Sequence, residues 1–339
     1  MTGTASLRRC ASACTHVRYR VSRLGTVLVT GAGGYVGGRL VHSLQDEGRA
    51  VRAIVRDEAP WLGGDQILCD LSTVDRTELA SHCAGAEAIV HLAGENELEV
   101  ARNPSAALSA TVTASMRIAD AARDAGVPRL VYLSTVHVYG DRMAPGAMLT
   151  EDMRPEPRSA YAISRLASEH VSAGRADGAY DLVVLRLSNS VGAPLHPSVD
   201  RWSLVANDLA RQGALDGRLA LRTAGLQWRD FVALDDVCAA IAAAARGHGG
   251  LAAGTYNLGS GVARTVLDLA HLVQDAFEEH TGRRPPLQAP PPPPEAERVA
   301  PYHVSVQRLA GGGVTPAAAP LEQAVSETVA FCLDHRSTL

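Results

Sequence analysis

Tyr161 and Arg165 stand four residues apart in the segment YAISR (161–165), the spacing that places two side chains on one face of a helix. A phenol with an ordinary pKa of about 10 is a poor base at neutral pH, and a fixed cation beside it favours its anion. Such a pair can exchange a proton with a bound hydroxyl. Arginine supplies the charge, yet its planar fork is bulkier than an ammonium and it does not readily give up a proton. A second group with chemical meaning is TGAGGYVG (30–37), which follows the β-branched run TVLVT (26–30) and opens a helical pattern. Gly31, Gly34 and Gly37 are spaced GxxGxxG, against the GxGxxG of the dinucleotide fingerprint. The physical task is the same: glycines let the backbone turn tightly and approach a pyrophosphate, which then sits at the positive end of the helix.

The next apolar run, AVRAIV (50–55), leads into Arg56, Asp57 and Glu58. Val55 therefore falls where an acid would hold a ribose 2′-hydroxyl, and Arg56 follows it directly. A guanidinium there suits a 2′-phosphate, which favours NADP over NAD; the competing reading is a solvated arginine beside its two acidic neighbours. Asp70, in CDL (69–71), ends the following short apolar segment, where a carboxylate can accept from an adenine amino group.

Positioning these residues requires alternating elements. After the strand at 26–30 the pattern predicts a helix over 35–47, a strand over 50–55, a helix over 74–83, a strand over 88–93 and a helix over 106–125. A strand over 129–134, a helix over 160–173 and a strand over 181–187 follow. Strands separated by helices imply βαβ units and a parallel sheet with right-handed crossovers, an α/β doubly wound fold of Rossmann type. Beyond Asn189 the rhythm is irregular: helices over 204–212, 235–246, 266–280 and 321–332, and strands over 219–222 and 255–259. The proline-rich segment 283–301 reads as an extended connector, because proline removes a donor and fixes φ. The organisation expected is an arm over 1–24, a dinucleotide-binding domain over 25–188 that also receives the strand at 255–259, and a smaller, mainly substrate-binding lobe over 189–339.

The chain of 339 residues is 46% hydrophobic and carries a formal net charge of −4, enough to bury a sizeable core. No apolar run approaches a membrane span, and a mildly acidic balance without a basic face gives no reason to expect nucleic acid. The six cysteines, at 10, 14, 69, 83, 238 and 332, show neither CxxC pairs nor metal spacing, so no metal site is expected and a reducing cytoplasm is the simple location. All 32 basic residues are arginine, so Arg165 reflects a chain-wide bias and is not by itself a sign of lost activity. Residues 1–24 contain no acid; they read as a disordered arm or a mis-assigned start, with an organelle-targeting segment as the alternative.

TGAGGYVG, the Asp70 segment, HLAG (91–94), STVHVYG (134–140), YAISR, NSVGAP (189–194), WRDFVALDDV (228–237) and YNLGSG (256–261) occur together and in order. In this the chain resembles the extended short-chain dehydrogenase/reductases, in the NAD-dependent epimerase/dehydratase branch, whose members act mostly on nucleotide sugars. The resemblance implies that Thr135, Tyr161 and Arg165 are catalytic, with Arg165 at the position normally held by lysine. It implies a cofactor lined by Gly31, Gly34, Tyr35, Val36 and Gly37, by Arg56, Asp70, Leu71, Leu92 and Ala93, and by Tyr161 and Arg165 themselves. Asn189 and Arg229 match positions that reach the sugar nucleotide. His137 stands where several relatives place the group that moves a carbon-bound proton. Dehydratases of the branch carry an acidic pair directly after the catalytic threonine; Val136 and His137 stand there, which disfavours 4,6-dehydration. The asparagine that usually braces the backbone is replaced, at Thr111, by a threonine.

The activity expected is that of an NAD(P)-dependent epimerase or ketoreductase working on a nucleotide-activated sugar, with Tyr161 exchanging a proton at a ring hydroxyl and Thr135 hydrogen-bonding the same oxygen. A reductase of a small non-sugar ketone is the nearest alternative. A silent NADP(H)-sensing binding module, its Tyr–Arg pair no longer turning over, is the alternative from another class. Small residues on 106–125 and 160–173, among them Ala107, Ala110, Ala114, Ala162 and Ala167, permit the close helix packing of a homodimer.

Overall fold

The structure is a computed structural model that describes residues 25–247, 249–292, 299–315 and 318–339. The expected arm over 1–24 lies outside the described residues, as does part of the proline-rich connector.

The aliphatic runs form strands β1 (Val27–Thr30), β2 (Val51–Val55), β3 (Asp65–Leu68), β4 (Ala88–His91), β5 (Arg129–Thr135) and β6 (Asp181–Leu187). Two strands of a second sheet follow, β7 (Asn189–Val191) and β8 (Trp228–Ala233), before β9 (Gly254–Leu258) returns to the first and β10 (Ala263–Thr265) to the second. The main sheet has seven strands in the order β9-β6-β5-β4-β1-β2-β3, and every pairing in it is parallel. Strands β1, β4 and β5 are buried along their whole length, the signature of a sheet covered on both faces. The strand order reverses between β1 and β4. A crevice therefore opens there, at the carboxyl ends of the strands, where folds of this class bind ligands.

One face is covered by α1 (Tyr35–Asp46) and α7 (Leu234–Ala244), whose Leu40, Leu44, Val237 and Ile241 join Val27 and Val29 in one core. On the other face α2 (Arg76–Cys83) sends Leu79, and a long helix over 104–124 sends Ile118 and Ala122, against Leu28, Ile89 and Leu130. Ahead of that long helix lies the short α3 (Glu97–Arg102), so the long one is α4 (Pro104–Asp124); α5 (Ala160–Ala176) packs beside it. The second sheet, in the order β10-β8-β7, supports α6 (Val205–Asp216), α8 (Val266–Thr281) and, beyond α9 (Gln307–Gly311), α10 (Leu321–Asp334) around a separate core. Among the described residues no helix is long and apolar enough to cross a membrane.

Several boundaries differ from the sequence reading for local reasons. Helix α4 starts at Pro104, since the Asn103 side chain accepts from Ala106 N at 3.3 Å and proline suits a first turn that has no donor to satisfy. Helix α5 runs to Ala176 and stops where Asp177 takes a left-handed φ of 32°. The expected strand at 219–222 shrinks to Leu219–Ala220, which pairs with Leu287–Gln288 from the connector. Neither α3 nor the 3-10 turn Val136–Arg142 was foreseen; both are too short for periodicity to reveal.

Beneath the crevice lies a buried ion pair. Arg186 on β6 donates from Nη2 and Nε to Glu169 on α5 at 2.7 and 3.1 Å, and Ser134 Oγ donates to the same carboxylate. Arg186 also reaches the Tyr139 hydroxyl, which donates to Asn257 Oδ1 at 2.7 Å. Five polar residues thus tie α5, β5, β6, the 3-10 turn and β9 together immediately behind Thr135.

Candidate active site

The turn between β1 and α1 is made by glycine where nothing else fits. Gly31 has φ +67°, and a Cβ there would stand 2.8 Å from Ala93 N. At Gly37 a Cβ would lie 2.1 Å from Gly31 O and 2.8 Å from the Ala32 Cα. Helix α1 begins after Gly34 with no side-chain cap and no acidic residue in its first turn, so its leading N–H groups and the positive end of its dipole are directed at the crevice. The arrangement fits a dinucleotide pyrophosphate.

Two adjoining cavities of about 510 and 530 Å³ share Gly31, Gly34, Arg56, Leu92 and Gly94 in their walls. The first is the adenosine-sized end: Asp70, Leu71 and Ala93 line it, together with Val55 and Glu95. Asp70 accepts from Ser72 Oγ at 2.7 Å and Ser72 N at 2.8 Å, which holds its carboxyl below the usual range. Arg56 is an exposed rim residue whose Nη1 lies 3.6 Å from Glu95. The second cavity carries Val36, Gly37, Thr135, His137, Tyr161, Arg165 and Asn189, and so gathers the expected catalytic residues at one end. Tyr35 contributes to its wall, but the phenol itself is buried and donates to Gly192 O at 2.8 Å. Only the Tyr35 backbone remains for a cofactor.

Thr135 ends β5 and is buried; its Oγ1 accepts from His137 N at 3.2 Å and keeps its own proton to donate. Tyr161, in the first turn of α5, is half-buried, with the Arg165 guanidinium carbon 5.2 Å from its ring centroid. The sequence reading expected the cation to favour the phenoxide. Arg165 does pull the Tyr161 pKa down, but burial pushes it up and wins, leaving it above the ordinary value. Burial would also lower Arg165; Tyr161 and Tyr132 beside it overcome that and hold the guanidinium charged. Arg165 is paired with no carboxylate among the described residues; its Nη2 donates to the Glu95 carbonyl at 3.1 Å.

His137 stands edge-on to Tyr161, ring centroids 6.5 Å apart. Burial lowers its pKa and Glu97 offsets this only in part, so the imidazole is neutral at pH 7. Asn189 donates to Asp230 O at 2.9 Å and faces the second cavity. Arg229 is not in either cavity wall: it donates to its neighbour Trp228 O at 2.8 Å and lies close enough to His137 to disfavour its protonation. Thr111, the threonine in place of the usual asparagine, holds the backbone: its Oγ1 accepts from Glu95 N at 3.2 Å, and its own carbonyl accepts from Ser115, which meets His91.

Sequence reasoning missed Glu97 and Arg201, joined at 2.8 Å across the second cavity from α3 to the connection between β7 and α6. The only sequence signal for Glu97 is the cap formed by Asn96, which accepts from Leu98 N and Glu99 N and starts a short helix just after HLAG. Arg201 carried none.

The profile of the NAD dependent epimerase/dehydratase family matches residues 27–259. Among curated proteins, the chain is 28% identical over 303 residues to a UDP-glucose 4-epimerase of Neisseria gonorrhoeae, covering 78% of this chain and 86% of the relative. It is 30% identical over 274 residues to a dTDP-glucose 4,6-dehydratase of Streptomyces antibioticus, covering 74% and 77%. Among solved structures, MoeE5 in complex with UDP-glucose and NAD superposes with a TM-score of 0.75 at 26% identity, over 93% of this chain and 100% of that one.

Proposed function

The chain belongs to the NAD dependent epimerase/dehydratase family, an extended short-chain dehydrogenase/reductase, and from that premise we propose that it interconverts nucleotide-activated sugars by transient oxidation at a ring carbon. The observation that carries this reading is the meeting of Thr135, Tyr161 and Arg165 in one cavity with the glycine turn. The cofactor's residues would be the Gly31–Gly37 turn for the pyrophosphate, Asp70 for the adenine and Arg165 for the nicotinamide ribose. When bound, NAD supplies the hydride acceptor.

The protein's own part is proton transfer and orientation. Tyr161 takes the proton of the ring hydroxyl and later returns it. Thr135 donates from Oγ1 to the same oxygen, its lone pair already engaged by His137 N. Arg165 offsets the charge that develops on the phenol. Neutral His137 lines the sugar end, and Asn189 serves the nucleotide diphosphate from the lobe built on residues 189–339.

The rim argues for NAD. Arg56 is surrounded by Asp57, Glu58, Asp70 and Glu95 in the adenosine-end wall; a 2′-phosphate would meet one guanidinium among four carboxylates, a net repulsion. A single experiment tests cofactor and reaction together. The purified chain is titrated with NAD and NADP, then incubated with NAD and a panel of UDP- and dTDP-hexoses in heavy water. Tighter NAD binding is expected, with epimerised sugar seen by NMR. Deuterium gained at carbon would give His137 the proton-moving role, and its absence confines His137 to binding. Saturable NAD binding without turnover of any sugar would leave a binding module.

A homodimer is supported by α4 and α5, which pack side by side and leave Ile163 exposed at 42%. A homodimer formed through these two helices is expected to sediment at twice the chain mass, shifting to the single-chain mass on Ile163→Arg; a wild-type monomer would refute it.

A further inference from the structure

Between β7 and α6 the chain forms a wall common to both cavities. It leaves the second sheet at Gly192, whose carbonyl accepts from the buried Tyr35 hydroxyl of α1 at 2.8 Å. At its far end Asn207 of α6 donates from Nδ2 to Arg201 O at 3.3 Å. Ser198, midway along, lines the adenosine end and the catalytic end alike, and its Oγ is hydrogen-bonded to His196 Nδ1 at 2.7 Å. Between these anchors the segment is held twice by the dinucleotide-binding side. Trp61, in the connection after β2 and in the adenosine-end wall, stacks on His196 with the rings parallel to within 1° and their centroids 5.4 Å apart. Trp61 and Leu195 both rest on Gly38 of α1, where a Cβ would stand 3.1 Å from Trp61 Cζ3 and 3.4 Å from Leu195 Cβ. On the catalytic side Arg201 Nη2 donates to Glu97 of α3 at 2.8 Å. Trp61 follows β2 and Glu97 follows β4, and the order β4-β1-β2 sets them on opposite sides of β1, whose carboxyl end carries the glycine turn. The segment is thus fastened on both banks of the crevice.

We propose that residues 195–201 are a strap closed across the dinucleotide crevice, fastened by the Trp61–His196 stack and the Glu97–Arg201 ion pair, and that it makes the cofactor resident, admitting and releasing the dinucleotide when the fastenings part. The inference rests on the cofactor site proposed above. A resident cofactor suits a reaction in which the hydride taken from a ring carbon is handed back to the same sugar, because no second substrate is then needed to renew NAD between turnovers.

The test follows uptake and release of NADH by stopped-flow nicotinamide fluorescence, release being chased with excess NAD. A strap slows entry and exit together, so loosening it raises both rates with little change in Kd, whereas a lost ligand contact raises release alone. Trp61→Ala is expected to raise both rates roughly tenfold, the worth of one aromatic stack. Arg201→Glu, which sets two carboxylates face to face, should raise both about fivefold. The exchanged pair, Glu97→Arg with Arg201→Glu, remakes the tie in reverse and should return both rates to within about threefold of the parent. Faster release with unchanged uptake in Trp61→Ala, rates unmoved in both single variants, or an exchanged pair as fast as Arg201→Glu would overturn the proposal. Exchange that depends on the fastenings without turnover of any sugar would leave the strap standing and sink the catalytic reading; turnover with NADH exchange indifferent to them would do the reverse.

Discussion

Tyr161→Phe is expected to lower kcat on the order of 10³-fold while changing NAD affinity less than tenfold and leaving the melting temperature in place. General acid–base groups contribute roughly 10² to 10⁴ in rate, and the substitution removes only the hydroxyl. The ring, which packs against Arg165 on one side and His137 on the other, is kept. The pH dependence has a definite sign. Burial raises the Tyr161 pKa beyond what Arg165 takes back, so the phenoxide fraction grows with alkalinity and parental turnover in the oxidising direction should climb as pH rises. The variant should show no such limb. Steady-state kinetics across pH 6 to about 10, with cofactor binding measured separately, checks both statements. Turnover within tenfold of the parent would remove Tyr161 from the chemistry.

Arg186→Met is expected to destabilise the protein by about 3–5 kcal/mol, because it leaves the Glu169 carboxylate buried without its counter-charge. The two side chains are 7% and 8% exposed and joined at 2.7 Å. Ser134 alone cannot replace the two guanidinium bonds that the carboxylate loses. Replacing both partners, Arg186→Met with Glu169→Leu, should recover most of the loss, as buried pairs exchanged for apolar residues of similar volume are often neutral. Urea unfolding of the three variants measures this; a single-variant cost below about 1 kcal/mol would show the pair to be better solvated than its burial indicates. Since this network braces Ser134 next to Thr135, and Tyr139 in the turn bearing His137, kcat is expected to fall in the single variant even where it remains folded.

The strands and the glycine turn were legible because each depends on local patterning. TVLVT, AIVH and LVVLRL are aliphatic runs that a two-sided parallel sheet requires, and they became β1, β4 and β6. Gly31 and Gly37 announced a tight turn, and the turn is there, with a Cβ at either position colliding with backbone. Arg56 shows the limit of such reading. Next to Val55 it reads as a 2′-phosphate ligand; what the sequence did not show is Glu95, a residue 39 positions away whose carboxylate lies 3.6 Å from its Nη1 because β2 packs beside β1 and β1 beside β4. Thr111 shows the converse: the residue type departed from the family, while a hydroxyl at that place on α4 still reaches Glu95 N.

From its residues alone, this chain determines an alternating α/β order, a glycine-shaped turn between the first strand and helix, and a tyrosine and an arginine on one helical face, since these depend on neighbours within a few positions. Which cation and which carboxylate meet across the crevice was decided only in three dimensions. Glu97 opposite Arg201 and Glu169 beside Arg186 and Ser134 are joined by sheet order and helix packing, and Coulomb and hydrogen-bond energies depend on those distances rather than on separation along the chain.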